Sequence, residues 1–391
     1  MQEKIEFKKG SYRLNRQENY NFQLNRVIMW NGGELSDIQP VSDRINDSAS
    51  WKRELIALGD KAISENRLQN AIAYYRMSEF FMYDDDADKL KYYRLATKLF
   101  YQHYAEYFEA GKVERLSVPY EGAPLPVLHV KAVGPRKDTI LLHGGNDSYF
   151  EEFFFPMLYF AQNGFEVYLF EGPGQGGVIR EQGIHFTSRW EKPVKAVLNT
   201  LSLSDITIIG ASLGSMLALR AAAFDHRIRR VICWSIFPSF LSAALYAVPK
   251  RVRGLISWML RHHCKGIINR RMEKMMDQDQ TAHWAIRHGM YAYEASTPFD
   301  YLKKLDEFQM VNIGDKITQD VLVIGAEKDH FIPKELYKDE LDALTNVRSL
   351  TYRLFTSREY GEAHCNAGNP RLCFDTMMSW IEQIIKRGYT D

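Results

Sequence analysis

The spacing of hydrophobic positions changes period near residue 112, and that change predicts how the chain is organised. Residues 1–45 show weak periodicity and a loop-like stretch, NGGELSDIQPVSD. The next stretch, DSASWKRELIALGDKAISENRLQNAIAYYRMSEFFMYDDDADKLKYYRLATKLFYQHYAEYF, places apolar residues three and four apart, with breaks at SENR and DDD. That spacing predicts antiparallel amphipathic helices rich in Tyr and Phe. They are too few to stack as a repeat array, so they are expected to pack on another part of the chain. From Lys112 onward, VERLSVPY and LPVLHVKAV flank EGAP and predict a hairpin. The apolar runs DTILLHGG, FEVYLFEGPGQGG, DITIIGASLG, RRVICWS, QDVLVIGAEKD and SLTYRLF follow at helical intervals. Unbroken apolar strands alternating with helices predict an α/β fold whose mostly parallel sheet is buried on both faces.

One interval is too long for simple alternation. Residues 236–310, between RRVICWS and QDVLVIG, are helical in period and dense in aromatic residues and Met. A structureless loop of that length is implausible in a compact domain. The segment reads as a helical lid over the carboxyl edge of the sheet, where open α/β sheets bind ligands. Packing into the core is the alternative use of its apolar face. The expected division is therefore an N-terminal helical segment (1–110), an α/β core (111–235 and 311–391) and an inserted lid (236–310).

The sequence TIIGASLGSMLALRAAA runs a β-branched strand into Gly-x-Ser-x-Gly and then into a helical pattern. The motif alone is common, but these flanks are what a nucleophile elbow requires, so Ser212 is expected to be a catalytic nucleophile rather than a turn residue. A serine hydroxyl needs a base and an orienting carboxylate. In folds built on such an elbow these follow the serine, acid first. LVIGAEKDHFIP supplies Asp329 just past a strand end, with Glu327 as a rival expected to point into solvent. Of the histidines only His330 and His364 lie beyond Asp329, and His330 is too close in sequence to reach from Asp329 to the serine. His364, in EYGEAHCNAGNP, becomes the expected base rather than a solvated loop residue. HGGND after the strand DTILL offers oxyanion donors: the amide of Gly145, or else Asn146, with that of Leu213. His143 itself is expected to be structural. EGPGQGG (Glu171–Gly177) superficially resembles a phosphate loop, but its glycine spacing is not G-x-G-x-x-G, so no dinucleotide site is expected.

Composition narrows the function classes. Fifty Lys and Arg against 49 Asp and Glu leave a formal charge of +1, which argues against a nucleic-acid partner. No window approaches a membrane span, and the polar start of the chain lacks the apolar core of a signal peptide. The widely spaced Cys233, Cys264, Cys365 and Cys373 form no C-x-x-C pair and read as reduced thiols in a cytoplasmic protein. No metal or cofactor signature is present, and none is expected.

Together HGGND-x-x-x-EE, EGPGQG, GASLG, the Asp329 loop and GEAHCNAGN resemble a subgroup of α/β-hydrolases with N-terminal helical extensions. That subgroup includes 2,6-dihydroxypseudooxynicotine hydrolase, FrsA-like proteins and polyketide-shortening hydrolases of fungal pigment and bacterial anthraquinone pathways. The resemblance spans residues 50–385 and implies the α/β-hydrolase fold, Ser212, Asp329 and His364 as a triad, and Gly145 with Leu213 as the oxyanion hole. It further implies a carbon–carbon bond hydrolase acting on a ketone or polyketide substrate, free or carrier-bound, in secondary metabolism. An esterase or thioesterase with the same triad is the alternative within enzymes, and a FrsA-like non-catalytic binding protein the alternative of another class. The N-terminal helices could mediate a homodimer, although their aromatic residues are equally suited to internal packing. Some members of the subgroup use a lid-region carboxylate, and FPSFLSAALYAVPK after RRVICWS holds no acid for that role. The lid aromatics Phe237, Phe240, Tyr246, Trp258, Trp284, Tyr291 and Tyr293 would suit a flat polycyclic substrate, or would fill the lid's own core.

Overall fold

A computed structural model describes residues 5–30 and 32–388; Met1–Lys4, Asn31 and Tyr389–Asp391 lie outside the described residues, as does the sequence reading that falls on them. The chain begins with helices α1 (Glu18–Met29), α2 (Leu35–Ser42), α3 (Ser48–Ser64), α4 (Leu68–Ser78), α5 (Ala87–His103) and α6 (Ala105–Glu109). From α3 onward they fall where the apolar spacing predicts. The start of α3 is a capping box: Asp47 accepts the Ser50 amide at 2.7 Å, and Ser50 Oγ accepts the Asp47 amide at 3.0 Å.

Helix α2 forms within NGGELSDIQPVSD, which reads as loop, and α1 forms where the periodicity is weak because polar residues share its buried positions. Gln23, Asn25 and Arg26 of α1 are all buried. Asn25 Oδ1 accepts the Tyr12 amide at 2.7 Å, and its Nδ2 donates to the Tyr12 carbonyl at 2.9 Å. A polar side chain satisfied inside the protein escapes any count of hydrophobic positions.

The sheet follows the predicted runs. A hairpin of β1 (Glu114–Tyr120) and β2 (Ala123–Val130) turns on Glu121 and Gly122, both at positive φ (44° and 88°). This two-residue turn is tighter than the four-residue EGAP loop of the sequence reading. The chain continues through β3 (Asp138–His143), α7 (Phe150–Gln162), β4 (Phe165–Phe170), α8 (Gly176–Gln182), α9 (Glu191–Thr200), β5 (Ile206–Ala211), α10 (Gly214–Phe224) and β6 (Ile228–Trp234). After the insertion of α11 (Phe240–Ala244), α12 (Lys250–Arg261), α13 (Lys265–Gln278), α14 (Gln280–Ala292) and α15 (Pro298–Leu305), it closes with β7 (Asp320–Ala326), α16 (Tyr337–Ala343), β8 (Ser349–Phe355) and α17 (Pro370–Arg387).

The strand order is β1-β2-β4-β3-β5-β6-β7-β8, antiparallel through β4 and parallel thereafter. Side chains of the parallel strands alternate between two cores. Leu141, Ile208, Val231 and Val323 pack with α9 and α10, while Ile140, Leu142, Ile209, Ile232 and Ile324 pack with α7 and α17. Chain order reverses between β3 and β5, so their carboxyl ends flank the crevice of a doubly wound sheet. No helix among the described residues is long and apolar enough to cross a membrane.

The N-terminal helices are welded to this crevice rather than standing apart. Trp51, Leu55, Tyr74, Met77 and Phe81 form a third core that also takes Trp284 from α14, its ring 4.7 Å from Phe81. Arg26 of α1 grips Glu152 of α7 with two bonds, 2.7 Å from Nε and 2.6 Å from Nη2, and Nη2 also donates to the Asp147 carbonyl at 2.7 Å. Both side chains are almost wholly buried. Breaking a buried pair strands one charge in a poor solvent for it, so Arg26→Ala is expected to destabilise the fold by about 3–5 kcal/mol, read as the shift in urea unfolding.

Candidate active site

The turn after β5 is strained in the way a nucleophile elbow demands. Ser212 has φ 58°, the left-handed region that a non-glycine residue rarely adopts. Two tight approaches permit it. A Cβ on Gly210 would stand 1.9 Å from the Gly214 carbonyl oxygen, and one on Gly214 would stand 2.5 Å from that of Gly144. The Ser212 amide donates to the Trp234 carbonyl at 2.9 Å, tying the elbow to the end of β6.

The predicted acid and base meet at this serine. His364 Nε2 lies 2.8 Å from Ser212 Oγ, and His364 Nδ1 lies 2.7 Å from Asp329 Oδ2. The other carboxylate oxygen, Oδ1, accepts the amides of Phe331 and Ile332 at 2.9 and 3.0 Å, which aims the carboxylate. Burial pushes Asp329 up, but the charge and hydrogen bond of His364 hold it net below the usual carboxylate range. Burial pulls His364 down, and the Asp329 carboxylate outweighs it and raises the imidazole above its ordinary value. Glu327, the rival acid, is turned away from His364 at the solvent boundary, where its Oε2 accepts from both the amide and the hydroxyl of Ser357 at 2.9 Å. His330 packs beside Phe331, with ring centroids 3.9 Å apart and planes tilted by 40°, and burial drops it to about 4.

The A-H-C-N-A-G-N motif is the mount for His364. Cys365 and Asn366 both hold positive φ, Trp234 Nε1 donates to the Cys365 carbonyl at 2.9 Å, and Asn366 Nδ2 donates to the Gly361 carbonyl at 2.9 Å. Cys365 itself is buried with its Sγ 3.4 Å from the Trp234 carbonyl, a structural thiol.

The glycine loop after β3 reaches the elbow. A Cβ on Gly145 would lie 2.8 Å from the Leu213 amide nitrogen, so loop and elbow touch. The Gly145 amide itself donates to Ser148 Oγ at 2.8 Å. Among the described residues the amides of Leu213 and Asn146 have no protein acceptor. His143 is fully buried with its Nδ1 2.9 Å from the Gly144 carbonyl, and burial drops it to about 4, so it is neutral and structural as expected.

Several partners of this loop were not visible in the sequence. His288 Nε2 of α14 lies 2.6 Å from Asp147 Oδ1, and the Tyr293 hydroxyl donates to Asn146 Oδ1 at 2.6 Å. Phe22 of α1 sits edge-on to His364, centroids 5.9 Å apart. Gln175 Nε2 donates to the Gly144 and Gly145 carbonyls at 2.7 and 3.0 Å. None of these carries a periodic or motif signal; Gln175 alone lay within a quoted motif. Of the aromatics considered for a substrate, Phe237, Trp284 and Tyr293 are buried in the protein's own cores and Trp258 is 49% exposed, which leaves Phe240, Tyr246 and Tyr291 half-buried.

The segment after β6 lacks an acid, and α16 brings one to it. Glu340 is fully buried, its Oε2 accepts the Phe237 amide at 2.5 Å, and burial pushes it from 4.5 to about 8. The unfolded chain releases this proton near 4.5 and the folded chain keeps it to about 8. Stability from this group therefore falls as pH rises between those limits, by up to about 1.4 kcal/mol per pH unit. Glu340→Gln keeps the acceptor without the titration and is expected to flatten that slope in urea unfolding followed across the interval.

Comparison with known proteins agrees with this architecture. The alpha/beta hydrolase fold family model matches residues 140–361. Hydrolase acrC of Aspergillus aculeatus is 26% identical over 94% of this chain and 97% of its own length. The 20-hydroxy-prefusarin hydrolase FUS2 of Gibberella moniliformis is 23% identical over 93% of this chain and 96% of its own. Among solved structures, 2,6-dihydroxy-pseudo-oxynicotine hydrolase superposes with a TM-score of 0.65 at 19% identity, covering 93% of this chain and 96% of that one. AbyA5 gives 0.65 at 17% identity, covering 89% and 90%. These matches agree with the resemblance drawn from the HGGND, GPGQG and AHCNAGN motifs. With its sheet order, its strained serine turn and the family match over residues 140–361, the chain belongs to the alpha/beta hydrolase fold family and is a hydrolytic enzyme.

Proposed function

We propose that this enzyme is a serine-dependent hydrolase of carbon–carbon bonds that cleaves a β-dicarbonyl in a polyketide or aromatic ketone of secondary metabolism, acting in the cytoplasm. The observation that carries the chemistry is the unbroken hydrogen-bonded chain from Ser212 through His364 to Asp329. What supports the substrate class is similarity along nearly the whole chain to a 20-hydroxy-prefusarin hydrolase, together with a fold shared with 2,6-dihydroxy-pseudo-oxynicotine hydrolase.

In this reading His364 Nε2 takes the Ser212 proton as Oγ adds to one carbonyl carbon. The resulting oxyanion is held by the Leu213 amide and a second amide from the loop after β3. Because the Gly145 amide is committed to Ser148, Asn146 is the better second donor. Collapse breaks the carbon–carbon bond and expels an enolate, a leaving group tolerable because its charge delocalises onto the neighbouring carbonyl. His364 protonates that carbon, and water then attacks the acyl-serine, with His364 again as base. One β-diketone and one water thus give one carboxylic acid and one shortened ketone. Residues 236–310, which reach the loop through His288 and Tyr293, act as the lid over this reaction.

The test is incubation of the purified enzyme with an aromatic poly-β-ketone and, separately, with p-nitrophenyl esters, followed by mass spectrometry. A shortened ketone plus a carboxylic acid is the expected product pair. Ester turnover without ketone cleavage would replace this reading by an esterase.

A further inference from the structure

The EGPGQGG motif has no part in the chemistry above, yet Gln175 is 1% exposed and commits its whole side-chain amide to fixed partners. Its Oε1 accepts the Gly172 amide at 3.0 Å, which settles which end of the amide points where. Nε2 then faces the loop after β3 and donates to two successive carbonyls, Gly144 at 2.7 Å and Gly145 at 3.0 Å.

Peptide geometry turns these bonds into a direction. In a trans peptide the C=O and the following N–H point opposite ways. A Gly145 carbonyl held toward Gln175 therefore turns the Asn146 N–H away from it. That N–H has no acceptor among the described residues, and its peptide begins at Gly145, where an added Cβ would lie 2.8 Å from the Leu213 amide nitrogen and 2.9 Å from Ser212 Cβ. Glycine allows the opposite peptide orientation at almost no intrinsic cost, so something outside the loop has to choose. Glu171 anchors the same motif: its Oε1 accepts the Phe150 amide at 3.0 Å and its Oε2 the Gly177 amide at 2.9 Å, joining β4 to the starts of α7 and α8.

We infer that Gln175 is a positioning residue for the oxyanion hole: by holding the Gly144 and Gly145 carbonyls it aims the Asn146 N–H at the oxyanion formed on Ser212. This rests on the proposed role of Ser212. It also gives the glutamine of EGPGQGG a role, and it assigns the second oxyanion donor to Asn146.

The test measures labelling of Ser212 in the full chain by a fluorophosphonate, a reaction independent of the natural substrate. Ser212 Oγ bonds to phosphorus, fluoride leaves, His364 takes the proton, and negative charge develops on the phosphoryl oxygen. Gln175→Ala is expected to slow the limiting labelling rate about 10- to 100-fold while leaving the half-saturating concentration unchanged, as for a partly disabled oxyanion hole. Gln175→Glu, of equal size but with an oxygen facing the two carbonyls, is expected to slow it as much. Gln319→Ala is the control, because it removes another buried amide bond, 2.8 Å to the Ala222 carbonyl, remote from the loop. All rates are taken below the unfolding transition of each variant. A wild-type limiting rate in both Gln175 variants, or an equal loss in Gln319→Ala, would overturn the inference. Labelling that persists in Ser212→Ala would instead overturn the nucleophile assignment on which it rests.

Discussion

Ser212→Ala is expected to reduce turnover by a factor on the order of 10^4 to 10^6 while leaving the fold intact. Only the hydroxyl group is removed, and alanine brings to the left-handed turn the same Cβ that serine does. Residual activity above the uncatalysed reaction should persist, because oxyanion donors and binding remain when the nucleophile is gone. The measurement is product release from the poly-β-ketone by mass spectrometry, paired with intact-protein mass during turnover. The wild-type enzyme should accumulate a mass increment on Ser212 that the alanine variant lacks. Turnover within tenfold of wild type would mean that water attacks the ketone directly and that the Ser212–His364 contact of 2.8 Å is incidental.

Asp329→Asn should cost about 10^4-fold in kcat with the site geometrically unchanged, as loss of the orienting carboxylate leaves the imidazole in the wrong tautomer. Its pH signature separates this from simple damage. Protonated His364 cannot accept the Ser212 proton, so activity appears as pH rises through the imidazole pKa. Burial pulls that pKa down, and Asp329 holds it above the ordinary histidine value in the wild type. Without the carboxylate its upward pull is lost, and the acid limb of the pH–rate profile should move to lower pH even as its plateau collapses. A limb that stays in place would show that Asp329 does not set the protonation of His364.

The sequence was most legible where physics acts along the chain. Apolar strands buried on two faces read as unbroken runs, helices as three- and four-residue spacing, and the break in alternation marked residues 236–310 as an insertion, which forms α11–α15. Chain order reduced eleven histidines to His330 and His364, and closeness to Asp329 set His330 aside, leaving His364, the residue the structure brings to Ser212. Legibility failed at α1, which is buried nearly all round: its apolar stripe of Tyr20, Leu24, Val27 and Ile28 is interrupted by buried, bonded Gln23, Asn25 and Arg26, so polarity does not mark an outward face. The partner of Glu327, Ser357, was likewise not legible, because it depends on how the loops after β7 and β8 meet.

What the sequence by itself determined was the order of elements, the fold they build and the identity of the residues that converge at the end of β5. Periodicity, turn chemistry and motif order are all local, and each can be read from neighbours in the chain. What only the tertiary structure decided is how the oxyanion loop is held. Gln175 reaches it from the loop after β4, Arg26 from α1, His288 from α14 and Tyr293 from just past the end of α14. Their partners include backbone carbonyls, which every residue carries alike. A bond to a group that all residues share leaves no mark in the pattern of side chains, so its direction emerges only when the distant segments are packed together.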